Sequence, residues 1–230
     1  MITRRKDYSK QLPSKDARKL YLFCEGEGTE PDYFTFFKGL SSNLEIITLP
    51  PESGTDPLKL MELAKSKLLD EDSRYIMDYL ASDSVWFVID TDSWEKEGKI
   101  TPLREFCVVN NTAFPEKYTE VKPYSAWNVV QSNPSFEIWL YYHFYKDAPN
   151  PEGVDVHPTF KAFVGSAISG GFDFQTDPVK VETAVENAKI NFKLDEEGKL
   201  ELFSTEVYEL AEVIIPFVRQ HLDRLKGKMM

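Results

Sequence analysis

The chain has 230 residues, 42% of them apolar and 28% charged, which supports one or two folded domains and excludes a disordered or fibrous polymer. Its net charge of −11 argues against tight unaided binding to nucleic acid, because phosphate neutralisation supplies most of that affinity. The charge is uneven: residues 1–20 hold seven basic side chains (Arg4, Arg5, Lys6, Lys10, Lys15, Arg18, Lys19) against Asp7 and Asp16, a net of +5, so the remainder carries −16.

Residues 1–18 form a basic arm, able to touch a phosphate backbone but equally compatible with a solvated terminus. Leu20–Cys24 is an apolar run without alternation, as expected of a strand buried on both faces. It ends in Glu25-Gly26-Glu27-Gly28, and Pro31 opens a helix to Leu40. Leu44–Leu49 is a second strand. After the loop Pro50–Asp56, Pro57–Leu69 is a helix that resumes beyond Asp70–Ser73 and runs to Leu80. Val85–Ile89 is the strongest strand and stops at Asp90-Thr91-Asp92. Pro102–Val109 is a weaker helix, Ala126–Val130 a fourth strand, and a helix follows from Pro134 to Phe144. Pro149–Gly153 has linker composition. Helices are expected near Pro158–Ser169, Pro178–Phe192 and Thr205–Leu225, with a polar exposed loop over Ser169–Asp177.

The alternation of strand and helix predicts an α/β fold: a doubly wound, Rossmann-like parallel sheet over residues 19–148 with right-handed crossovers, and a C-terminal helical annex over 149–230. Cys24 and Cys107 match neither a disulfide framework nor a zinc site and read as small buried hydrophobes. With no secretory leader in view, they suggest a reducing cytoplasm. No apolar run approaches the roughly 20 residues of a membrane span.

In an open parallel sheet, ligands bind beyond the carboxyl ends of the strands near the point where strand order reverses. Glu25 follows strand one, Asp90 and Asp92 end strand three, and Glu137 lies one helical turn past strand four. Carboxylates so placed repel one another, and a cation relieves the repulsion. An all-oxygen set selects Mg²⁺ or Mn²⁺ over Zn²⁺, and Mg²⁺ held by a few carboxylates commonly serves phosphate-ester chemistry. Each residue also has a plain structural reading. Asp90 fits a turn cap, Asp92 a solvated charge, and Glu25 and Glu137 favourable charges near helix starts. Glu27 and Glu30 read as surface charges and Asn133 as an N-cap. His143, His157 and His221 read as structural or exposed.

Three ordered segments resemble the RloB-like family: Cys24-Glu25-Gly26-Glu27-Gly28-Thr29-Glu30-Pro31-Asp32-Tyr33-Phe34, Phe87-Val88-Ile89-Asp90-Thr91-Asp92, and Ser132-Asn133-Pro134-Ser135-Phe136-Glu137-Ile138-Trp139-Leu140 with His143-Phe144. Ser204-Thr205-Glu206-Val207 is similar to a late family signature. The resemblance implies a Toprim-like core related to the overcoming-lysogenization-defect nucleases. It also implies a place in bacterial anti-phage defence, including abortive infection, often beside an ABC-type ATPase. On this likeness Glu25, Asp90, Asp92 and Glu137 are the metal and catalytic residues, Mg²⁺ or Mn²⁺ the cofactor, and DNA or RNA the substrate. Two departures stand out. Trp94 occupies the position of a third aspartate, and Thr91 replaces a basic residue between the two aspartates. The resulting expectation is a Mg²⁺-dependent nuclease, with a homo-oligomer or an ATPase partner presenting the substrate. The alternative is a non-enzymatic regulatory module working with that ATPase.

Overall fold

The computed structural model describes residues 10–52, 54–91, 93–117 and 122–229. The start of the basic arm, with Arg4, Arg5 and Lys6, lies outside the described residues, as does Asp92.

Four strands, β1 (Arg18–Cys24), β2 (Leu44–Leu49), β3 (Ser84–Asp90) and β4 (Trp127–Ser132), form one all-parallel sheet in the order β2-β1-β3-β4. The chain steps from β1 to one side, then returns to β1's other flank as β3. Strand order therefore reverses between β1 and β3, and their carboxyl ends frame the crevice of a doubly wound sheet.

The unbroken apolar runs follow from burial on both faces. Leu20, Leu22 and Cys24 of β1 join Trp86, Val88 and Val130 in one core, while Tyr21 and Phe23 join Val85, Phe87, Ile89 and Trp127 in the other. Helices α2 (Pro57–Ala64) and α3 (Ile100–Lys117) cover the second face. Helices α1 (Thr29–Thr35) and α4 (Glu137–Tyr141) cover the first, together with α6 (Phe160–Ala167), α7 (Val181–Asn191) and α8 (Val207–Met229). The C-terminal helices thus share a hydrophobic core with the sheet.

Several expected boundaries shift for local reasons. The second helix begins where Asp56 caps the amides of Leu58 and Lys59 ahead of Pro57, and its last turn widens into a π turn over Lys65–Leu69. It does not resume toward Leu80. Asp83, fully buried, instead accepts hydrogen bonds from the amides of Lys19 (2.7 Å) and Asp78 (2.9 Å), tying the segment before β3 to the start of β1. The expected linker near Pro149–Gly153 contains a short helix, α5 (Pro151–Asp155), because Asn150 accepts from the Glu152 amide and Pro151 stands at the first helical position. The loop over 169–177 is exposed at Ser169, Gly170, Asp173, Gln175 and Thr176, as expected, but its Phe172 and Phe174 pack against the core. Both cysteines are free and buried. Among the described residues no helix is long and apolar enough to cross a membrane.

Candidate metal centre

The crevice between β1 and β3 brings Glu25, Asp90 and Glu137 near one another. At the end of β1 the Glu25 amide still donates to Val88 O (3.0 Å), so Glu25 stays in register with β3. Its carboxylate then reaches across. Oε2 accepts from the Asp90 amide (2.9 Å) and Oε1 from the indole Nε1 of Trp94 (2.6 Å). Trp94 is thus a donor that fixes Glu25 from the loop after β3.

Asp90 pairs in register with Ser132 of β4, and its Oδ1 accepts from the Phe136 amide at 2.9 Å. Glu137 opens α4 and accepts at Oε2 from the Ser135 hydroxyl (2.6 Å). Its Oε1 lies 3.5 Å from Lys161 Nζ.

A fourth carboxylate belongs here that sequence reasoning placed at the surface. Glu30 is only 4% exposed, and its Oε1 accepts from the Gly26 amide at 3.1 Å. Gly26 makes this contact possible, because a Cβ at that position would collide with the Glu30 carboxylate. The readable signal is the four-residue spacing from Gly26 across a tight turn into a helix start, which curls the glutamate back over the glycine. Glu27, by contrast, is exposed, as expected.

These groups act on one another. Asp90 retains some exposure as a residue, but protein surrounds its carboxyl on nearly every side. Burial first, then the negative charges of Glu25, Glu30 and Glu137, push its pKa well above the ordinary 3.8; the Phe136 amide opposes the shift. Glu30 is also raised, first by burial and then by Glu137, against the amides it accepts from and the more distant Lys161. The crevice therefore crowds carboxyl groups together, with Lys161 beside Glu137 at its edge.

The donor chemistry suits a hard cation, and the arrangement indicates which kind of binding fits. Among the described residues no three acidic, histidine or cysteine side chains form a group able to hold an ion by themselves. A hydrated Mg²⁺ or Mn²⁺ held by one or two carboxylates, with water and substrate oxygens completing its shell, fits.

The loop bearing Asp90 is braced from the far side. The Thr91 hydroxyl donates to Ser132 O (3.0 Å) and accepts from Gln131 Nε2 (2.8 Å). Gln131 Oε1 accepts from Arg104 (2.9 Å), and Arg104 pairs with Glu206 at 2.7 Å. Glu206 also accepts from the Gln131 amide. The Ser204–Val207 signature is thus a clamp on the end of β4, with Thr205 bridged to Ser132. Thr91 serves this brace. Asn133 does not cap a helix; its side chain donates to Leu200 O at 2.7 Å, and α4 begins at Glu137, three residues past Pro134.

His143 is structural, as expected. It is buried between Tyr33 (3.1 Å to Nε2) and the Trp139 carbonyl (2.9 Å from Nδ1), and burial lowers its pKa to about 3. The carbonyl can only accept, so Nδ1 carries the proton and Nε2 accepts from the Tyr33 hydroxyl.

No curated protein and no solved structure matches the chain. The model of the family described as RloB-like protein matches residues 20–214, a span that holds the crevice carboxylates, the brace and the helices behind them, and the chain belongs to the RloB-like family.

Proposed function

We propose that the chain is a metal-dependent nuclease that hydrolyses phosphodiester bonds of DNA or RNA with Mg²⁺ or Mn²⁺. The observation that carries this reading is the buried Asp90 carboxyl, crowded by Glu25, Glu30 and Glu137 at the reversal point of a parallel sheet. Four acidic groups in one crevice are costly to keep unless they have a use for positive charge.

Asp90 and Glu137 would hold the ion, joined by Asp92, two residues on from Asp90 in the sequence. The ion would supply charge neutralisation at the scissile phosphate and a more acidic bound water. Glu25, with both oxygens engaged by Asp90 N and Trp94, orients the loop that presents these ligands. Glu30 keeps the crevice negative and anchors the turn beneath it. The core would be Toprim-like, and the family resemblance adds a role as effector in anti-phage defence with an ABC-type ATPase partner. The acidic body accords with that partnership, since an ATPase or a second copy would have to present the nucleic acid.

A second reading, a regulatory module without catalysis, is favoured by one observation: both Glu25 oxygens already have protein donors. The two readings separate in one experiment. Purified protein is titrated with Mg²⁺ and Mn²⁺ on DNA and RNA substrates, with and without the neighbouring ATPase. The nuclease reading requires cleavage that depends on the metal and is lost in Asp90→Asn. Inactivity on both polymers with both metals and the ATPase present sinks it and favours the regulatory module.

A further inference from the structure

A cavity of about 190 Å³ opens beside the carboxylates, between α4, α6 and the 168–175 segment. Leu140, Val164, Phe172 and Phe174 line it. It is smaller than the roughly 300–1,000 Å³ of pockets for drug-sized ligands, so it suits a single ring system. A larger cavity of about 800 Å³, lined in part by Lys10, Phe36, His221 and Leu225, contains none of the four crevice carboxylates.

Three features tie the small cavity to the metal centre. Glu137 belongs to both, so any occupant lies next to the ion's position. Lys161 stands at the rim, its Nζ 3.5 Å from Glu137 Oε1 and 3.3 Å from Thr29 Oγ1. That side chain is 72% exposed; the pair is weakly held in water, and the ammonium can turn to an incoming anion.

Gly165 is the third feature. It lies inside α6, where glycine is disfavoured relative to alanine. Its φ is not in the left-handed range, and a Cβ there would meet nothing within 4 Å. Neither backbone conformation nor packing requires a glycine. What its missing side chain does is leave this wall of the cavity open.

We propose that the cavity takes one unstacked nucleobase of a single-stranded nucleic acid, with Lys161 against its phosphate and the neighbouring phosphodiester beside Glu137; the assignment rests on the nuclease reading above. The occupant must combine a flat apolar ring with an anion one sugar away, within reach of an ion held by carboxylates. A nucleotide has that pattern. In a duplex the base is paired and stacked, and entering the cavity would first cost its extrusion. Stacking on aromatic walls tolerates any base, so the preference is for strandedness and not for sequence.

The test uses the full chain with Ca²⁺ in place of Mg²⁺ and short oligonucleotides containing 2-aminopurine, as single strands and as duplexes of the same sequence, in DNA and RNA. Anisotropy should show single strands bound about five- to a hundred-fold tighter than duplex, the equivalent of one stacked base. 2-Aminopurine fluorescence should be quenched on binding. Gly165→Leu, which fills the wall, should remove the quenching and the single-strand preference while leaving Mn²⁺ affinity unchanged and thermal stability equal or higher. Lys161→Met, at an exposed position that tolerates change if Gly165→Leu fails to fold, should weaken single-strand binding without weakening Mn²⁺ binding, since it removes a positive charge beside Glu137. Equal affinity for duplex, or unaltered single-strand binding in either variant, overturns the cavity assignment while leaving the nuclease reading standing if Mn²⁺ binds. Absence of both Mn²⁺ and oligonucleotide binding overturns both.

Discussion

Replacing Asp90 with asparagine should stabilise the metal-free protein. The substitution keeps the volume and the oxygen that accepts from Phe136 N at 2.9 Å, and it removes a charge crowded by Glu25, Glu30 and Glu137. The gain has a ceiling. A folded chain can always escape the repulsion by protonating Asp90; from the ordinary value of 3.8, that costs about 4 kcal/mol at pH 7, at about 1.36 kcal/mol per unit. Weakening the bond from Phe136 N from charge-assisted to neutral returns about 1 kcal/mol. The net expectation is a gain of about 1–3 kcal/mol at pH 7, or roughly 2–10 °C in melting temperature for a chain of this size.

The pH dependence has a definite sign. Because its folded pKa is raised, Asp90's contribution is fully present below the unfolded value near 3.8 and is lost as pH rises through the raised value. The asparagine variant should therefore match the wild type near pH 4 and exceed it increasingly toward neutrality. His143 works in the opposite direction. Its folded pKa is depressed to about 3, so its contribution is present above 6.5 and lost as pH falls, but it is common to both proteins and cancels in the difference. Denaturant melts in EDTA from pH 4 to 8 measure that difference. A variant less stable than wild type at pH 7 would show that the carboxylates are not in conflict, and the case for a cation in the crevice would collapse.

The remaining predictions concern the groups around Asp90. Trp94→Phe removes the 2.6 Å indole donor to Glu25 and should cost about 1.5–3 kcal/mol, the usual value of a hydrogen bond to a charged group; an unchanged denaturation midpoint would rule out the clamp. Glu206→Ala strips partners from Arg104 and the Gln131 amide and should cost about 1–3 kcal/mol, with the loss confined in hydrogen-exchange protection to the end of β4 and the loop after β3. Uniform loss across the sheet would argue against a local brace. The His143 ring should show no titration by NMR between pH 5 and 8, as expected for a group held neutral with a pKa of about 3; a midpoint near 6.5 would contradict its burial.

The sheet was legible because strands buried on both faces leave a plain trace: Leu20–Cys24 and Val85–Ile89 are apolar without alternation, and both lie at the centre of the sheet. The convergence of Glu25, Asp90 and Glu137 was also legible, since strand ends in a parallel sheet share one edge. Three things were not. Glu30 looked solvated because a carboxylate in a glycine-rich turn reads as a surface charge, and only its four-residue spacing from Gly26 marks the return. The 74–80 segment was expected to resume the helix, but the buried Asp83 holds the Asp78 amide instead. Asn133 read as an N-cap, yet its side chain bonds Leu200 O, in a segment some 70 residues later. Polar side chains whose partners are remote in sequence are where local reading fails.

The most direct test of a divalent ion in this crevice is a Mn²⁺ titration followed by electron paramagnetic resonance, on wild type and on Asp90→Asn. One hydrated ion per chain should bind wild type, Mg²⁺ should displace it, and saturating metal should raise stability by about 2.7 kcal/mol at a hundred times the dissociation constant. Asp90→Asn should lose that binding and that gain while remaining folded. Equal Mn²⁺ binding by the two proteins, or none by either, would contradict a metal centre built on Asp90.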